Sequence, residues 1–217
     1  SDHGRFILES GGDAGNTNTT FMQFHNNGGT EIAQIQIDEG ASNEGQMIFK
    51  TGGTTTAMTI DKDGHITKPL QSAFLATIFP ATRPTNISAN TTTGLVFGEE
   101  IFDQNGDYNA SNGKFVAPVT GRYQFNFMGY LQDVPNDASY IYLQLVTSNR
   151  NYLTIFDPRG FDTSVAYERA NINMLVDMDA NDEASIAFYQ GGGSATVDFG
   201  SGTSSDPNTN FSGYLVA

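Results

Sequence analysis

A run of alternating aromatic residues near the middle of the chain constrains its fold more than any other feature. Residues 113–127 read GKFVAPVTGRYQFNF. Tyr123, Phe125 and Phe127 are separated by single polar residues, which places three aromatic rings on one face of an extended strand. Glycine and proline on both sides of the run mark turns. The segment therefore predicts a β-strand with one buried face.

The composition of the whole chain agrees with an all-β protein. The 217 residues include 16 Phe and 9 Tyr, which favour strands, and 24 Gly, which favour turns. No segment has the periodicity of a convincing amphipathic helix. A chain of this length forms one or two domains, and a hydrophobic share of 38% is low but sufficient for sheet cores.

Charge and cysteine content exclude several classes of function. A net charge of −14 argues against nucleic-acid binding, which needs clustered Lys and Arg. The chain has no cysteine, so it has neither disulfides nor a thiolate metal site. The longest apolar stretch, FLATIF, is far too short to cross a bilayer, and we expect no membrane insertion. The chain begins at Ser1 without Met, so we expect a fragment or a processed product.

Residues 1–68 differ in character from the rest of the chain. Short alternating runs such as RFILE, TFMQFH, EIAQIQID and QMIFK lie between Gly- and Asn-rich connectors. Each run offers a narrow apolar face, as with Ile35 and Ile37, which is too little for a comfortable monomeric domain. We expect oligomerisation to bury these faces against neighbouring chains. Lys68-Pro69 ends the pattern, because Pro cannot donate a ladder hydrogen bond, and the domain boundary is predicted there.

Four segments in order carry a resemblance to a known family: AFLAT at 73–77, DYNASNGKFVAPVTGRYQFNF from Asp107, INMLVDMDANDEASIAF at 172–188 and FSGYLV at 211–216. They resemble the C1q-type globular head, a jelly-roll relative of the tumour necrosis factor fold, over 72–217. The resemblance implies an all-β chain with a jelly-roll β-sandwich knob at 69–217, assembled as a homotrimer. Residues 1–68 are then a short-stranded β stalk domain.

A second resemblance concerns AMTIDKDGHIT at 57–67. It is similar to the short β-turn units of phage tail-fibre shafts, in which strand, Asp-Gly turn and strand repeat along a trimeric stalk. An ordinary hairpin or a short β-meander is the alternative, since Asp-Gly is a generic turn signal. The chain has no Gly-X-Y period, which departs from the collagen-bearing members of the C1q family and favours a fibre tip.

The predicted strands of the knob place its longer connections at one end. Successive antiparallel strands alternate in direction, so tight turns fall at the base, where the domain begins and ends. The connections 103–112, 132–137, 157–167 and 191–208 are then expected at the opposite end, the apex. Such loops on a rigid scaffold carry binding specificity. The candidate ligand-binding residues are Asp107, Tyr108, Asp133, Asp157, Arg159, Phe161, Asp162 and Tyr167.

The metal and tyrosine predictions are separate. C1q-type heads often hold calcium near the apex of the trimer, and by this resemblance Asp162 and Glu168 are candidate Ca²⁺ ligands; the alternative is that both carboxylates are simply solvated. Tyr140 and Tyr142 lie on the face opposite Ile141, so they either pack at a subunit interface or are exposed. No nucleophile–base pair, Walker loop or dinucleotide fingerprint is present in the sequence.

The sequence thus predicts a homotrimeric, non-enzymatic virion fibre protein, of a phage tail or head fibre. Its knob would bind a host-surface ligand, a polysaccharide or a protein, and its other partners would be virion proteins. One alternative is a structural trimerisation or capping head that recognises nothing. Another is a secreted, extracellular C1q-like recognition protein.

Overall fold

The structure, a computed structural model, describes residues 19–38, 45–203 and 205–217. The chain divides into two compact units, Ser1–Leu70 and Gln71–Ala217. The second unit is called the knob below. The run RFILE, expected to be a strand, lies outside the described residues. No helix in the described ranges is long and apolar enough to cross a membrane.

The N-terminal unit contains one antiparallel sheet with the order β1-β2-β3-β4-β5. Its strands are β1 (Thr19–His25), β2 (Glu31–Asp38), β3 (Gln46–Thr51), β4 (Thr55–Ile60) and β5 (Ile66–Thr67). The predicted Asp-Gly turn joins the last two. The Asp61 carboxylate accepts hydrogen bonds from the main-chain N–H groups of Asp63 (2.9 Å) and His65 (2.8 Å). Gly64 adopts φ +86°, which favours glycine.

The knob is a sandwich of two antiparallel sheets, as the C1q/tumour necrosis factor-like jelly roll requires. Sheet I has the order β13-β12-β15-β10-β9, and β7 also pairs with β15. Its strands are β7 (Thr93–Leu95), β9 (Tyr108–Asn109), β10 (Lys114–Val116), β12 (Tyr140–Thr147), β13 (Asn151–Phe156) and β15 (Glu183–Gly191).

Sheet II has the order β14-β11-β17-β6-β8, and β16 also pairs with β11. Its strands are β6 (Ala73–Thr77), β8 (Glu99–Asp103), β11 (Gly121–Val134), β14 (Val165–Met178), β16 (Asp198–Phe199) and β17 (Asn210–Leu215). The connections β6–β7 and β13–β14, which run between the two sheets, contain the short 3₁₀ helices Pro80–Thr82 and Pro158–Gly160.

Aromatic side chains fill the space between the two sheets. Tyr123, Phe125 and Phe127 are buried, so the predicted aromatic face is confirmed. The ring of Phe125 lies 5.3 Å from that of Phe115 and 5.7 Å from that of Phe211, centroid to centroid. Gly213 permits this packing, because a Cβ there would lie only 2.5 Å from the Phe125 ring.

The base of the knob is the end at which its chain enters and leaves. The side chain of Gln71 donates to the Leu215 carbonyl at 2.6 Å, and the main-chain N–H of Arg122 donates to Ala217 at 2.7 Å. The tight turns 118–121, 148–151 and 180–183 lie here, at the end where tight turns were predicted. One pair of them is joined by the Asn181 N–H, which donates to the Ala117 carbonyl at 2.7 Å.

The predicted position of the connection 103–112 is wrong, because this segment lies at the base. The main-chain N–H of Gln104 donates to the Ala73 carbonyl at 2.9 Å, and Ser72 donates a short hydrogen bond to Asp107. The segment before this connection forms two strands in different sheets, β7 and β8. The two-residue strand β9 then adds a reversal of chain direction before β10, which puts the connection 103–112 at the base.

Candidate binding surface at the apex

Three connections meet at the apex of the knob: β11–β12, β13–β14 and β15–β17. The main-chain N–H of Asn136 donates to the Ser164 hydroxyl at 3.2 Å, which joins the first two connections. The carboxylate of Asp137 accepts from the Ser194 N–H at 3.0 and 3.1 Å, which joins the first to the third. These hydrogen bonds lower the pKa of Asp137 and keep it charged. The three loops therefore form one connected surface.

Asp157 organises the loop that follows β13. Its carboxylate caps the 3₁₀ helix by accepting from the Arg159 N–H at 3.0 Å. The guanidinium of Arg159 binds the same carboxylate through two nitrogens. This partner lowers the pKa of Asp157 to about 2. The loop thus holds an ionised carboxylate and a guanidinium side by side at the surface.

A groove of about 460 Å³ opens between the ends of β13 and β14. These two strands are the edge strands of their sheets, on the same side of the sandwich. The groove brings the predicted residues Asp157 and Phe161 together with Glu168. Its lining is Thr154, Phe156, Asp157, Phe161, Glu168, Arg169, Ala170 and Asn171. Two carboxylates, one guanidinium, one amide and two phenyl rings can contact a polar ligand with apolar faces.

Tyr167 belongs to a small aromatic cluster beside this groove. Its ring lies 5.5 Å from the ring of Tyr130 on the neighbouring strand, and 64% of the residue is exposed. The Arg169 guanidinium lies 4.9 Å from the centre of the Tyr130 ring, within the range of a cation–π contact. Sequence reasoning missed Tyr130 and Arg169 as site residues. Their alternation with Tyr167 along two paired strands was the available signal.

The other predicted residues of the apex loops are separate from the groove. Asp133 is exposed near the end of β11 and adopts φ +58°, a conformation that Asp tolerates better than most residues. Asp162 is exposed in the β13–β14 loop, where its carbonyl accepts from the Asn136 amide at 3.5 Å. Both carboxylates remain predicted ligand contacts at the same end of the knob as the groove.

Asp107 and Tyr108 are not apex residues, and their predicted position is wrong. Asp107 lies at the base beside Ser72. Tyr108 is buried in the core, where its ring stacks on Phe74 at 4.7 Å and its hydroxyl donates to the Phe97 carbonyl at 3.0 Å. Burial raises its pKa. A buried phenol at the base cannot join a ligand surface at the apex.

Asp162 and Glu168 supply oxygen ligands of the kind that calcium takes, but not a full set. Calcium binds six to eight oxygens, and two carboxylates offer at most four. One oxygen of Glu168 already accepts from the Arg169 N–H at 3.0 Å. Water, carbonyl groups or another copy of the chain would have to complete the site. Calcium binding at these residues stays a prediction.

A different group of metal-ligating side chains lies in the N-terminal unit. The ligand atoms of Asp61, Asp63 and His65 lie within 4.8 Å of one another, the only such group of three in the described ranges. Asp61 already binds the ring and the N–H of His65, and Lys62 pairs with Asp63 at 2.9 Å. These contacts account for the group as part of the turn.

Tyr140 and Tyr142 lie on the outer face of sheet I with Tyr189. The Tyr142 and Tyr189 rings are 5.0 Å apart and nearly parallel, and Tyr140 lies 5.9 Å from Tyr189. Partial desolvation and a hydrogen bond with Tyr140 raise the pKa of Tyr189. Tyr140 is exposed in the single chain. Whether this face packs against another subunit stays a prediction.

The model of the C1q domain matches residues 78–216, which include strands of both sheets. The globular domain of zebrafish complement 1qA protein is similar, with a TM-score of 0.49, 16% identity, 68% of this chain covered and 98% of that chain. Murine APRIL is similar with a TM-score of 0.46 and 12% identity, with 67% of this chain and 99% of that chain covered. The PRD1 vertex protein P5 is similar with a TM-score of 0.47 and 13% identity, with 68% of this chain and 99% of that chain covered.

Proposed function

Because the chain belongs to the C1q domain family, we propose that it is a non-enzymatic attachment protein whose three knobs bind a host-surface ligand. We place it on a virion fibre. The observation that carries the proposal is the connected apex surface, in which three long loops share hydrogen bonds and one of them, the β13–β14 loop, lines a groove. Loops held on a rigid β scaffold are where binding modules vary their specificity.

The outer face of sheet II supports the trimer. Leu175 and Tyr214 both pair with Gln124 across neighbouring strands, so they share that face. Phe102 lies on the edge strand β8, where it pairs with Leu75 of β6. Phe102, Leu175 and Tyr214 are each about half exposed in the single chain. Large apolar side chains on one exposed sheet face are typical of a protein–protein contact.

A polysaccharide fits the groove by its chemistry. Sugar hydroxyls can donate to the carboxylates of Asp157 and Glu168 and accept from the guanidinium of Arg169. The rings of Phe161 and Tyr167 present apolar surface to the less polar faces of a sugar. Three copies of one weak site combine into strong avidity when the ligand is a repeating polymer. We therefore propose a repeating surface glycan, with a host protein as the alternative.

The test is a triple variant at the apex with a matched variant at the base. Asp157→Ala, Phe161→Ala and Asp162→Ala together should reduce adsorption to host cells at least tenfold while the trimer mass is unchanged. The control replaces two exposed carboxylates and one exposed apolar residue at the base, by Asp179→Ala, Glu183→Ala and Val119→Ala. Unchanged adsorption of the apex variant would refute the binding surface.

A structural capping head is the second candidate. It is favoured by the use of the Asp137 and Asp157 carboxylates in hydrogen bonds within the loops, which stiffen the apex without any ligand. A glycan array and a cell-binding assay with the full chain separate the two. A cap binds no surface, whereas an attachment protein binds a defined subset of glycans or cells.

A further inference from the structure

The outer face of sheet I carries an aromatic patch at its apex end. Three tyrosines with nearly parallel rings form the centre of the patch. The ring of Tyr142 lies 5.0 Å from that of Tyr189 and 6.3 Å from that of Tyr140, centroid to centroid. Leu153 and Ile155 on the edge strand β13 extend the patch, and each is more than half exposed. These five residues are called the tyrosine face below.

A glycine on the neighbouring strand fixes the position of one ring. Tyr140 pairs with Gly191, and a Cβ on Gly191 would lie only 2.8 Å from two carbons of the Tyr140 ring. The ring therefore lies over the backbone of β15, where a larger residue would displace it. A hydrogen bond between their side chains joins Tyr140 to Tyr189. Rings that are held in this way lose little conformational freedom when a ligand binds.

The tyrosine face carries no charge, although the chain as a whole has a net charge of −14. Strands β12 and β13 contain no charged residue. The one charged residue of β15 is Glu183 at the base end, which pairs with Lys114 at 2.7 Å. The face thus offers apolar rings and hydroxyl groups but no cation for an acidic polymer, which the acidic chain would repel. A neutral ligand with apolar surface and many hydroxyl groups fits this chemistry.

The tyrosine face and the apex groove lie on the two sides of one strand. Successive residues of a strand point to opposite faces. In β13, Thr154 and Phe156 line the groove, whereas Leu153 and Ile155 belong to the tyrosine face. Because β13 is the edge strand of sheet I, a polymer that leaves the groove can pass over this edge. It then meets Tyr142, which pairs with Ile155 on the next strand.

We propose that the tyrosine face binds an internal stretch of a neutral polysaccharide whose adjoining sugars occupy the apex groove. The inference rests on the proposed function and deepens it, because it makes the ligand a long uncharged polymer. Ile155, Tyr142 and Tyr189 lie in one row across three neighbouring strands, which span about 10 Å. The proposed trimer uses the outer face of sheet II, so the outer face of sheet I, on the other side of the sandwich, stays open to such a polymer.

Glycan length separates the two surfaces experimentally. The probe is an array of neutral oligosaccharides of increasing length, built from glucose, mannose, galactose or rhamnose, with acidic oligosaccharides alongside. The full chain should bind long neutral oligosaccharides about tenfold more tightly than short ones. Tyr142→Ala with Tyr189→Ala should abolish this gain, so that long and short oligosaccharides bind alike. The matched control, Val146→Ala with Asn151→Ala, changes a cross-strand pair at the base end of the same face and should keep the gain.

Two further measurements test the position of the polymer. Long neutral oligosaccharides should protect Tyr142 and Tyr189 of the unmodified protein from nitration by tetranitromethane, and equal nitration with and without them would overturn the proposal. Sedimentation should give the same mass for the unmodified protein and for the tyrosine variant. A lower mass for the variant would also overturn the proposal, because the tyrosine face would then pack between copies of the chain.

The outcomes separate this inference from the proposed function. Binding of acidic oligosaccharides alone, or of short and long neutral ones alike, overturns the inference and leaves the attachment proposal standing. So does a chain that adsorbs to host cells and binds no oligosaccharide on the array. Absence of both adsorption and array binding refutes the proposed function and this inference together.

Discussion

The guanidinium of Arg159 binds the carboxylate of Asp157 through two parallel hydrogen bonds, from Nε at 2.9 Å and from Nη2 at 2.7 Å. Such a two-nitrogen contact is more specific in geometry than a single ion pair. Both residues are exposed, so the pair shapes the loop more than it stabilises the fold. The pair holds the charge pattern of the apex groove over a wide pH range.

The first prediction concerns the titration of Asp157. Its pKa of about 2 lies below the ordinary 3.8, so its stabilising contribution is present above pH 3.8 and is lost as pH falls through about 2. Arg159→Ala should raise the pKa toward 3.8. Carbon-detected NMR of the Asp157 carboxyl measures both midpoints. A midpoint near 4 in the unmodified protein would contradict the geometry of the pair.

The second prediction concerns Tyr108, which we expect to stabilise the core. Tyr108→Phe leaves the Phe97 carbonyl without its donor and should lower the free energy of unfolding by about 1–3 kcal/mol. Host adsorption should be unchanged, because the residue is at the base. Denaturant unfolding at a fixed protein concentration gives the stability. Loss of adsorption in a folded Tyr108→Phe trimer would contradict the placement of this residue.

The same variant has a pH signature. Burial raises the pKa of Tyr108 above the ordinary 10.0, so the unfolded chain loses this proton before the folded chain does. The tyrosine therefore contributes its full stability below pH 10 and loses it as pH rises further. The Tyr108→Phe variant lacks this decline. The difference in unfolding free energy between the two proteins should shrink above pH 10, and a constant difference would show that the phenol titrates normally.

The third prediction concerns the aromatic core. Phe125 is buried against Phe74, Phe115 and Phe211, so Phe125→Ala should cost about 3–5 kcal/mol of unfolding free energy. The matched control is Val119→Ala at the exposed turn before β11, which should change stability by less than about 0.5 kcal/mol. Equal costs for the two variants would show that the core is packed differently.

The fourth prediction concerns calcium. If Asp162 and Glu168 bind Ca²⁺ together with groups from a second copy, addition of calcium should raise the melting temperature and a chelator should lower it. Asp162→Asn with Glu168→Gln should abolish that difference. Differential scanning calorimetry and sedimentation in each condition provide the measurement. No shift in the unmodified protein up to millimolar calcium would remove the predicted site.

The sequence predicted most of the strands because their signal is strong. The alternation around Phe125 and the turn residues beside it specify a half-buried strand whatever the remaining chain does. The resemblance to the C1q-type head then predicted the sandwich. The stalk strands were visible for the same reason, but their shared apolar face depends on register. Register across Ile35, Phe49 and Met58 is a tertiary property that single runs do not show.

The site was only partly predictable. Asp157, Phe161 and Glu168 meet at one groove because β13 and β14 are edge strands on the same side, a fact of strand order. Asp107 and Tyr108 were misplaced because β9 has only two residues and gives too short a pattern to recognise. Because β9 reverses the direction of the chain once more, the connection 103–112 lies at the base and not at the predicted apex.

The position of β17 has a consequence for how the knob is made. This strand lies between β11 and β6 in the middle of sheet II, although it is the last strand of the knob in the chain. Ribosomes deliver it after every other strand, so the two halves of the sheet have no common partner until synthesis of the knob is complete. A nascent knob thus exposes an open seam lined by Phe125 and Phe74, and folding must wait for the final segment to insert and close it.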